Sequence, residues 1–326
     1  MLGPPPDRPE SNVRPPAPQR PEKIVDNSTT ATVVALMRDL PNGLTQNTLG
    51  EVLLDCGSAD AVWDSYIEAT LLPVPGKGPD RDTAGADIEQ WKSRGWKILT
   101  VLDPEYPDRV RAARRPPALL MAAGTIADDT PAVAIVGSRK ASAPALDFAR
   151  TVARGLVSLD VTVVSGLAEG IDTAAMTAAL ENDGRVVGVI GTGLDVAYPA
   201  PNRALQAAVA EHGLVLTQFL PGFRGARWAF PARNRTMSAF AQVTVIAEAT
   251  EKSGTKHQAS EAVAHGRRLV LHRSVATTTT WGRELVDRPD VFVVDTAHEA
   301  IEQLERIAAA DQSLRARLSA LAGGGW

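Results

Sequence analysis

The stretch Val161-Thr-Val-Val-Ser-Gly-Leu-Ala-Glu-Gly-Ile-Asp172 joins a short β-branched run, a Ser-Gly loop and the start of a helical pattern. Similar runs recur along the chain between helix-period segments such as Leu146–Leu159 and Leu205–Glu211. Continuous apolar strands that alternate with helices predict an α/β fold with a doubly wound, largely parallel sheet. The predicted strands are Lys97–Leu102, Val133–Val136, Val161–Val164, Val186–Ile190, Leu214–Thr217, Val243–Ala247, Arg268–Leu271 and Val291–Val294.

The chain ahead of these strands has a different character. Residues 1–22 hold eight prolines and predict an extended, solvated tail. Apolar residues then recur at three- and four-residue steps up to Ala69, which predicts short amphipathic helices, and a Gly/Pro/Asp-rich segment follows. The predicted division is a disordered tail (1–28), a small helical domain of the SAM or helix-hairpin-helix type (29–72), a linker (73–88), the α/β domain (89–312) and a C-terminal tail (313–326).

Composition excludes several classes of protein. The chain has 34 Lys and Arg against 38 Asp and Glu, a net charge of −4, so any nucleic-acid site has to be a local pocket. Cys56 is the single cysteine, which rules out an internal disulfide. No apolar run approaches the ~18 residues that span a bilayer. We therefore expect a cytoplasmic protein with no membrane partner.

Four predicted strands are followed by small and polar residues. Glycine lets backbone N–H groups approach an anion, hydroxyl groups add donors, and the next helix directs its positive end to the same place. Such loops converge on one edge of a doubly wound sheet, so the set predicts a phosphate-binding crevice. Each loop alone fits an ordinary turn or helix cap. The candidate residues are Gly137, Ser138, Arg139, Lys140, Ser165, Gly166, Gly170, Gly191, Thr192, Gly193, Ser253, Gly254, Thr255 and Lys256.

The segment Gly222–Arg235 is basic and aromatic and has no acidic residue. Guanidinium groups pair with phosphates and aromatic faces stack on bases, so the mixture favours single-stranded nucleic acid over duplex. The alternative is a solvated basic loop whose aromatic side chains pack into the core. Its relevant residues are Phe223, Arg224, Arg227, Trp228, Phe230, Arg233, Asn234 and Arg235.

Signatures of catalysis and of cofactor binding are incomplete. Gly191–Val196 lacks the third glycine of a dinucleotide-binding loop, and no P-loop is present. The five histidines show no metal-ligand spacing with the cysteine, and Ser165 lacks the glycine that precedes the nucleophile in a nucleophile elbow. We predict no catalytic residue, no metal and no cofactor.

Four motifs, in this order and spacing, resemble the DNA-processing protein A family (DprA, also called Smf). The resemblance covers about Trp91–Ser274. It implies an extended Rossmann domain that is not an enzyme, binds single-stranded DNA without sequence preference, dimerises, and loads the RecA recombinase in natural transformation. The motifs are Val133–Arg139, Ser165–Asp172, Gly191–Asp195 with Tyr198, Pro199 and Asn202, and Phe230–Arg235.

The resemblance also implies roles for individual residues. Arg139 is similar to the family's phosphate-binding arginine, Ser138, Ser165 and Gly166 to its pocket floor, and Arg233 and Arg235 to the arginines beside it. Ser253-Gly254-Thr255 corresponds to its Ser-Gly-Ser/Thr loop. The chain departs from the family at Met176, where a histidine is usual, and at Leu271–Ser274, where Val-Pro-Gly is usual. No winged-helix module is expected after Val291.

Two other functions fit the same crevice. A sensor of a nucleotide-derived ligand, in a phage-defence or toxin–antitoxin setting, would hold one phosphate of its ligand there. A nucleotide phosphoribohydrolase of the Lonely Guy type is a weaker alternative, because its Pro-Gly-Gly-x-Gly-Thr loop is matched only by Lys252-Ser-Gly-Thr255.

Overall fold

A computed structural model of the chain describes residues 26–40, 44–65 and 80–323, with side chains up to residue 313. Within these ranges one sheet has nine strands in the order β1-β2-β6-β5-β4-β3-β7-β8-β9. Strands β3 to β9 run parallel to one another, whereas β2 is antiparallel to both β1 and β6. The predicted α/β fold is confirmed. The strands are β1 (Lys97–Thr100), β2 (Leu119–Gly124), β3 (Ala132–Val136), β4 (Thr162–Ser165), β5 (Val186–Val189), β6 (Leu214–Thr217), β7 (Val243–Ile246), β8 (Arg268–His272) and β9 (Val291–Val294).

Helices cover both faces of the sheet. Helix α6 shows how the sequence specifies one of them: the Ser142 hydroxyl caps the N–H of Ala145, and Phe148, Val152 and Leu156 repeat at four-residue steps on the buried face. The described helices are α1 (Asn27–Arg38), α2 (Leu49–Cys56), α3 (Ala59–Trp63), α4 (Arg81–Ser93), α5 (Asp108–Arg111), α6 (Ala143–Ser158), α7 (Ile171–Leu180), α8 (Arg203–His212), α9 (Ala229–Phe240), α10 (Thr255–Ala264), α11 (Arg273–Thr278), α12 (Thr280–Leu285) and α13 (Ala297–Gly323). In the described ranges, none of them is both long and apolar enough to cross a bilayer.

The segment predicted as a linker is partly helical. Its residues 81–88 begin α4, because the Asp80 carboxylate caps the N–H groups of Asp82 and Thr83, and α4 packs against α1. Residues 66–79, like the proline-rich residues 1–25, lie outside the described residues. Residues 313–323, predicted as a tail, continue α13. We keep the division into a helical and an α/β domain as a proposal.

The order of the strands places a crevice in the middle of the sheet. From β3 the chain winds through β4 and β5 to β6 on one side, then returns to β7, β8 and β9 on the other. Where the winding direction changes, between β3 and β7, the connections diverge and leave a crevice outside the carboxyl ends of the strands.

Candidate functional site

Two adjoining cavities open at the carboxyl edge of the sheet and share Arg139, Ala168, Phe230 and Arg233 as lining residues. The small pocket, of about 70 Å³, is lined by residues that follow β4 and β5. The switch-point pocket, of about 540 Å³, is lined by the loops after β3 and β7. The small pocket is large enough for several water molecules or for a group of the size of a phosphate. We call the two pockets together the crevice.

Arg233 forms the floor of the crevice. Its side chain is 6% exposed, and a Cβ added to Gly166 would lie 1.5 Å from its Nη1 atom. Nη1 donates to the carbonyl of Val189 at 2.9 Å, while Nε has no hydrogen-bond partner among the described residues. Glycine is needed at position 166 because any side chain would displace this guanidinium group.

Asp172 supplies the opposite charge to Arg233. It is buried in the first turn of α7, where its Oδ2 accepts from the N–H groups of Gly166 (3.1 Å) and Ala168 (3.3 Å). Burial raises the pKa of Asp172 and lowers the pKa of Arg233, and the attraction between the two charges opposes both shifts. The negative charge of Asp172 therefore helps to keep Arg233 protonated beneath the crevice, although burial removes both groups from water.

The rim of the crevice combines a cation with aromatic rings. Arg139 is exposed, and its guanidinium lies 5.5 Å from the centre of the Phe230 ring. Tyr198, which is 46% exposed, lies with its ring 5.4 Å from that of Phe230. Arg139 has no carboxylate partner among the described residues, and Glu248 instead accepts hydrogen bonds from Ser142. The rim can thus face both a phosphate and a base.

The loops after β3 and β7 line the switch-point pocket as the sequence predicts. Their residues Gly137, Ser138, Lys140, Ser253, Gly254 and Thr255 contribute to its wall, together with Asn234 from α9. The Ser253 hydroxyl accepts from the N–H of Thr255 and donates to its hydroxyl. Lys256 is exposed in the first turn of α10.

Several predicted anion donors are already used inside the protein. The Gly166 N–H binds Asp172, as described above, and the Ser165 hydroxyl donates to the Ile135 carbonyl in the core at 2.8 Å. The Ser138 N–H donates to the Glu248 carbonyl at 2.8 Å. Ser165 lines neither pocket, so the prediction that it forms part of the pocket floor is wrong.

The loop after β5 is also held by internal hydrogen bonds. The Thr192 hydroxyl donates to the Val196 carbonyl, and the Gly193 N–H donates to the Phe223 carbonyl. Gly191 lies against Phe230, and its backbone still lines the small pocket. At Gly170, with φ of +77°, a Cβ would lie 2.3 Å from the Ser138 carbonyl oxygen, so this glycine lets two loops meet. Gly191 and Thr192 thus line the small pocket, whereas Gly193 and Gly170 hold the neighbouring loops in place.

Arg235 does not reach the crevice, which corrects its predicted position. Its guanidinium pairs with Glu261 of α10 at 3.5 Å and donates to Asn47 at 3.1 Å. Two residues turn a helix by about 200°, so Arg233 and Arg235 face opposite ways from α9. Arg235 joins the α/β sheet to the N-terminal helices.

Asp172 and Tyr198 were absent from the predicted site, and Phe230 was predicted only as part of the basic, aromatic segment and not of the phosphate-binding crevice. The acid in the first turn after Gly170, and the aromatic residues flanking the two glycine loops, were the available signals. In the described ranges no group of three or more His, Cys, Asp or Glu side chains could hold a metal ion.

A family model described as DNA recombination-mediator protein A matches residues 97–305. The chain belongs to this family. The DNA processing protein DprA of Streptococcus pneumoniae is 40% identical over 170 residues, which cover 52% of this chain and 60% of that protein. A Mycobacterium tuberculosis protein with a provisional DprA name is 35% identical over 264 residues, which cover 74% and 68%.

Two solved DprA structures share the fold. The Streptococcus pneumoniae protein superposes with a TM-score of 0.62 at 27% identity, covering 85% of this chain and 93% of that one. Helicobacter pylori DprA, whose structure concerns single-stranded DNA binding, gives 0.58 at 26% identity, covering 65% and 96%. The resemblance seen in the sequence is confirmed. The DNA recombination-mediator protein A family is non-catalytic, in agreement with the prediction that the chain is not an enzyme.

Proposed function

We propose that the crevice binds single-stranded DNA without sequence preference. The observation that carries this proposal is the position of Arg139 over Phe230, beside Tyr198 and above the buried Arg233. Guanidinium groups bind phosphates and aromatic faces stack on any base, and neither contact reads the edge of a base. The single-stranded DNA described for the Helicobacter pylori relative supports the same ligand here.

In this proposal the exposed cations Arg139, Lys140 and Lys256 contact the sugar–phosphate backbone, and Arg233 provides a fixed positive charge below it. The walls contributed by Gly137, Ser138, Gly166, Gly191, Thr192, Asn234, Ser253, Gly254 and Thr255 shape the crevice around the strand, and Gly170 and Gly193 hold the loops that carry these residues.

We further propose that the protein acts in the cytoplasm as a homodimer and delivers the strand to a RecA-type recombinase. Membership of a recombination-mediator family supports this role. The departure from the family at Leu271–Ser274 lies in β8 and α11, where the His272 ring packs edge-on against Phe148 at 5.0 Å. None of these four residues lines the crevice, so the departure leaves the proposed DNA site intact.

Competition between ligands tests the proposal. A labelled oligothymidylate of about 20 nucleotides, longer than the ~4–16 nucleotides that common single-strand-binding folds cover, is titrated with the protein and then competed. We expect unlabelled single strands of any sequence to displace it and duplex or mononucleotide to displace it poorly. Tight binding of a mononucleotide with weak binding of the oligonucleotide would instead support the ligand sensor. Release of a free base from a nucleotide would support the phosphoribohydrolase.

A further inference from the structure

We infer that Trp228, with the two arginines before it, is a second stacking site for the DNA strand outside the crevice. We call Phe219, Phe223, Arg224, Arg227 and Trp228 the platform. The inference rests on the proposed binding of single-stranded DNA in the crevice, and it extends the contact surface beyond the two pockets. The platform lies in the connection between β6 and α9 and lines neither pocket.

The indole of Trp228 is held in place while half of its surface stays open. Its ring lies 5.6 Å from that of Phe219, edge-on, and 5.5 Å from that of Phe223. Phe219 is 3% exposed and stacks on Phe223 at 4.8 Å, so the two phenyl rings form a support. Trp228 is nevertheless 52% exposed. A base can stack on a ring that is already fixed with little loss of side-chain entropy.

The charge around Trp228 fits a phosphodiester strand. Arg224 and Arg227 are exposed, and neither has a hydrogen-bond or ion-pair partner among the described residues. Residues 218–230 contain no acid. Asp195, which contacts this loop, accepts from the Gly222 N–H with both carboxylate oxygens, at 2.9 and 3.0 Å. Unpaired cations beside an open aromatic face are the combination that single-strand-binding grooves use.

The platform is continuous with the crevice. The Gly193 N–H donates to the Phe223 carbonyl at 2.9 Å, which ties the platform to the loop that lines the small pocket. Trp228 precedes Phe230 by two residues, so their Cα atoms lie within about 7 Å. Stacked nucleotides advance about 3.4 Å along a strand. A strand with a phosphate in the small pocket therefore reaches Trp228 within a few nucleotides.

The test compares short and long oligothymidylates on the full chain. A dinucleotide is too short to fill the small pocket and reach Trp228 together, whereas an oligomer of about 16 nucleotides covers both the crevice and the platform. We expect Trp228→Ala to weaken binding of the long oligomer roughly 5- to 100-fold and to leave the short one within about twofold. Trp228→Phe, which keeps an aromatic ring, should retain most of the wild-type affinity for the long oligomer. The double variant Arg224→Ala, Arg227→Ala removes the charge of the platform. Its surface control is Arg154→Ala, which removes an exposed arginine from the C-terminal half of α6.

Other results would overturn the inference. Unchanged affinity of Trp228→Ala for the long oligomer, with wild-type melting temperature, would remove the platform from the DNA path. An equal loss for both oligomers would make Trp228 a support of the crevice. If Trp228→Ala fails to fold, fluorescence quenching replaces it as the test. Bound oligonucleotide should then quench the indole fluorescence of the wild type more than that of Trp228→Phe, and equal quenching in the two proteins would contradict stacking on Trp228. Failure of the wild type to bind any oligomer would contradict the proposed function itself.

Discussion

At the scale of single residues, Arg233 and Gly166 depend on each other. The guanidinium occupies the space that a side chain at position 166 would need, and Asp172 binds the Gly166 N–H. Gly166→Val therefore displaces Arg233 as well as narrowing the crevice. A loss of binding in that variant would not show that the Gly166 N–H contacts the ligand. Arg139, exposed on Phe230, is the residue whose removal tests binding without disturbing the core.

Arg233→Ala should destabilise the fold. It removes the positive charge that opposes the desolvation of the buried Asp172, and it leaves the Val189 carbonyl without the hydrogen bond from Nη1. We expect these losses to cost about 1–3 kcal/mol. Urea unfolding measures this loss, and Arg139→Ala, at an exposed position, should stay within about 0.5 kcal/mol of the wild type. Equal stability of the wild type and Arg233→Ala would show that Asp172 does not need the arginine.

His265 should make stability depend on pH. Burial, followed by the charges of Arg267 and Arg235, lowers the pKa of His265 from 6.5 to about 4. Between those values the native state binds fewer protons than the unfolded state, so the free energy of unfolding rises with pH. We expect the wild type to lose stability as the pH falls from 6.5 towards 4, and His265→Gln to give a flatter profile. Parallel profiles for the two proteins would contradict this assignment.

At the scale of elements, two glycine-to-alanine substitutions test how the N-terminal helices pack, because they should change the free energy of unfolding in opposite directions. A Cβ at Gly50 in α2 would lie 2.0 Å from the Pro116 carbonyl oxygen, whereas a Cβ at Gly85 in α4 would have no described atom outside its own helix within 4 Å. Alanine has the higher helix propensity by about 1 kcal/mol. We expect Gly85→Ala to stabilise the protein and Gly50→Ala to destabilise it by about 1–3 kcal/mol in urea unfolding. Stabilisation by both substitutions would mean that α2 does not pack against residues 116–118.

The elements also show what the sequence could predict. The eight predicted strands are present, and seven of them are the parallel strands that continuous apolar runs identify, whereas β1 is an antiparallel edge strand. Strand β2 was missed, since Leu119–Gly124 has no β-branched residue and its pairing is antiparallel. Helix α4 was hidden by the Gly, Pro and Asp around its start. Pattern alone could not place Arg235 outside the crevice, because that requires the register of α9.

At the scale of the whole molecule, net charge and local charge have opposite signs. The chain carries −4 overall, yet the crevice and the platform bring together Arg139, Lys140, Arg224, Arg227 and Arg233 against the crevice acids Glu169 and Asp172. The field that a strand meets at this edge is positive, while the rest of the surface carries the excess of acid. Binding should therefore fall steeply with salt even though the protein is acidic.

The salt dependence of binding, measured for the wild type and Arg139→Ala, tests this account most directly. With about 4–6 phosphates neutralised, at ~0.7 per contact for single strands, log K for an oligothymidylate should fall against log salt with a slope of about −3 to −4. Arg139→Ala should weaken binding by about 1.5–3 kcal/mol and reduce the slope by about 0.7. A slope near zero, with the affinity of Arg139→Ala equal to that of the wild type, would contradict single-stranded DNA binding in the crevice.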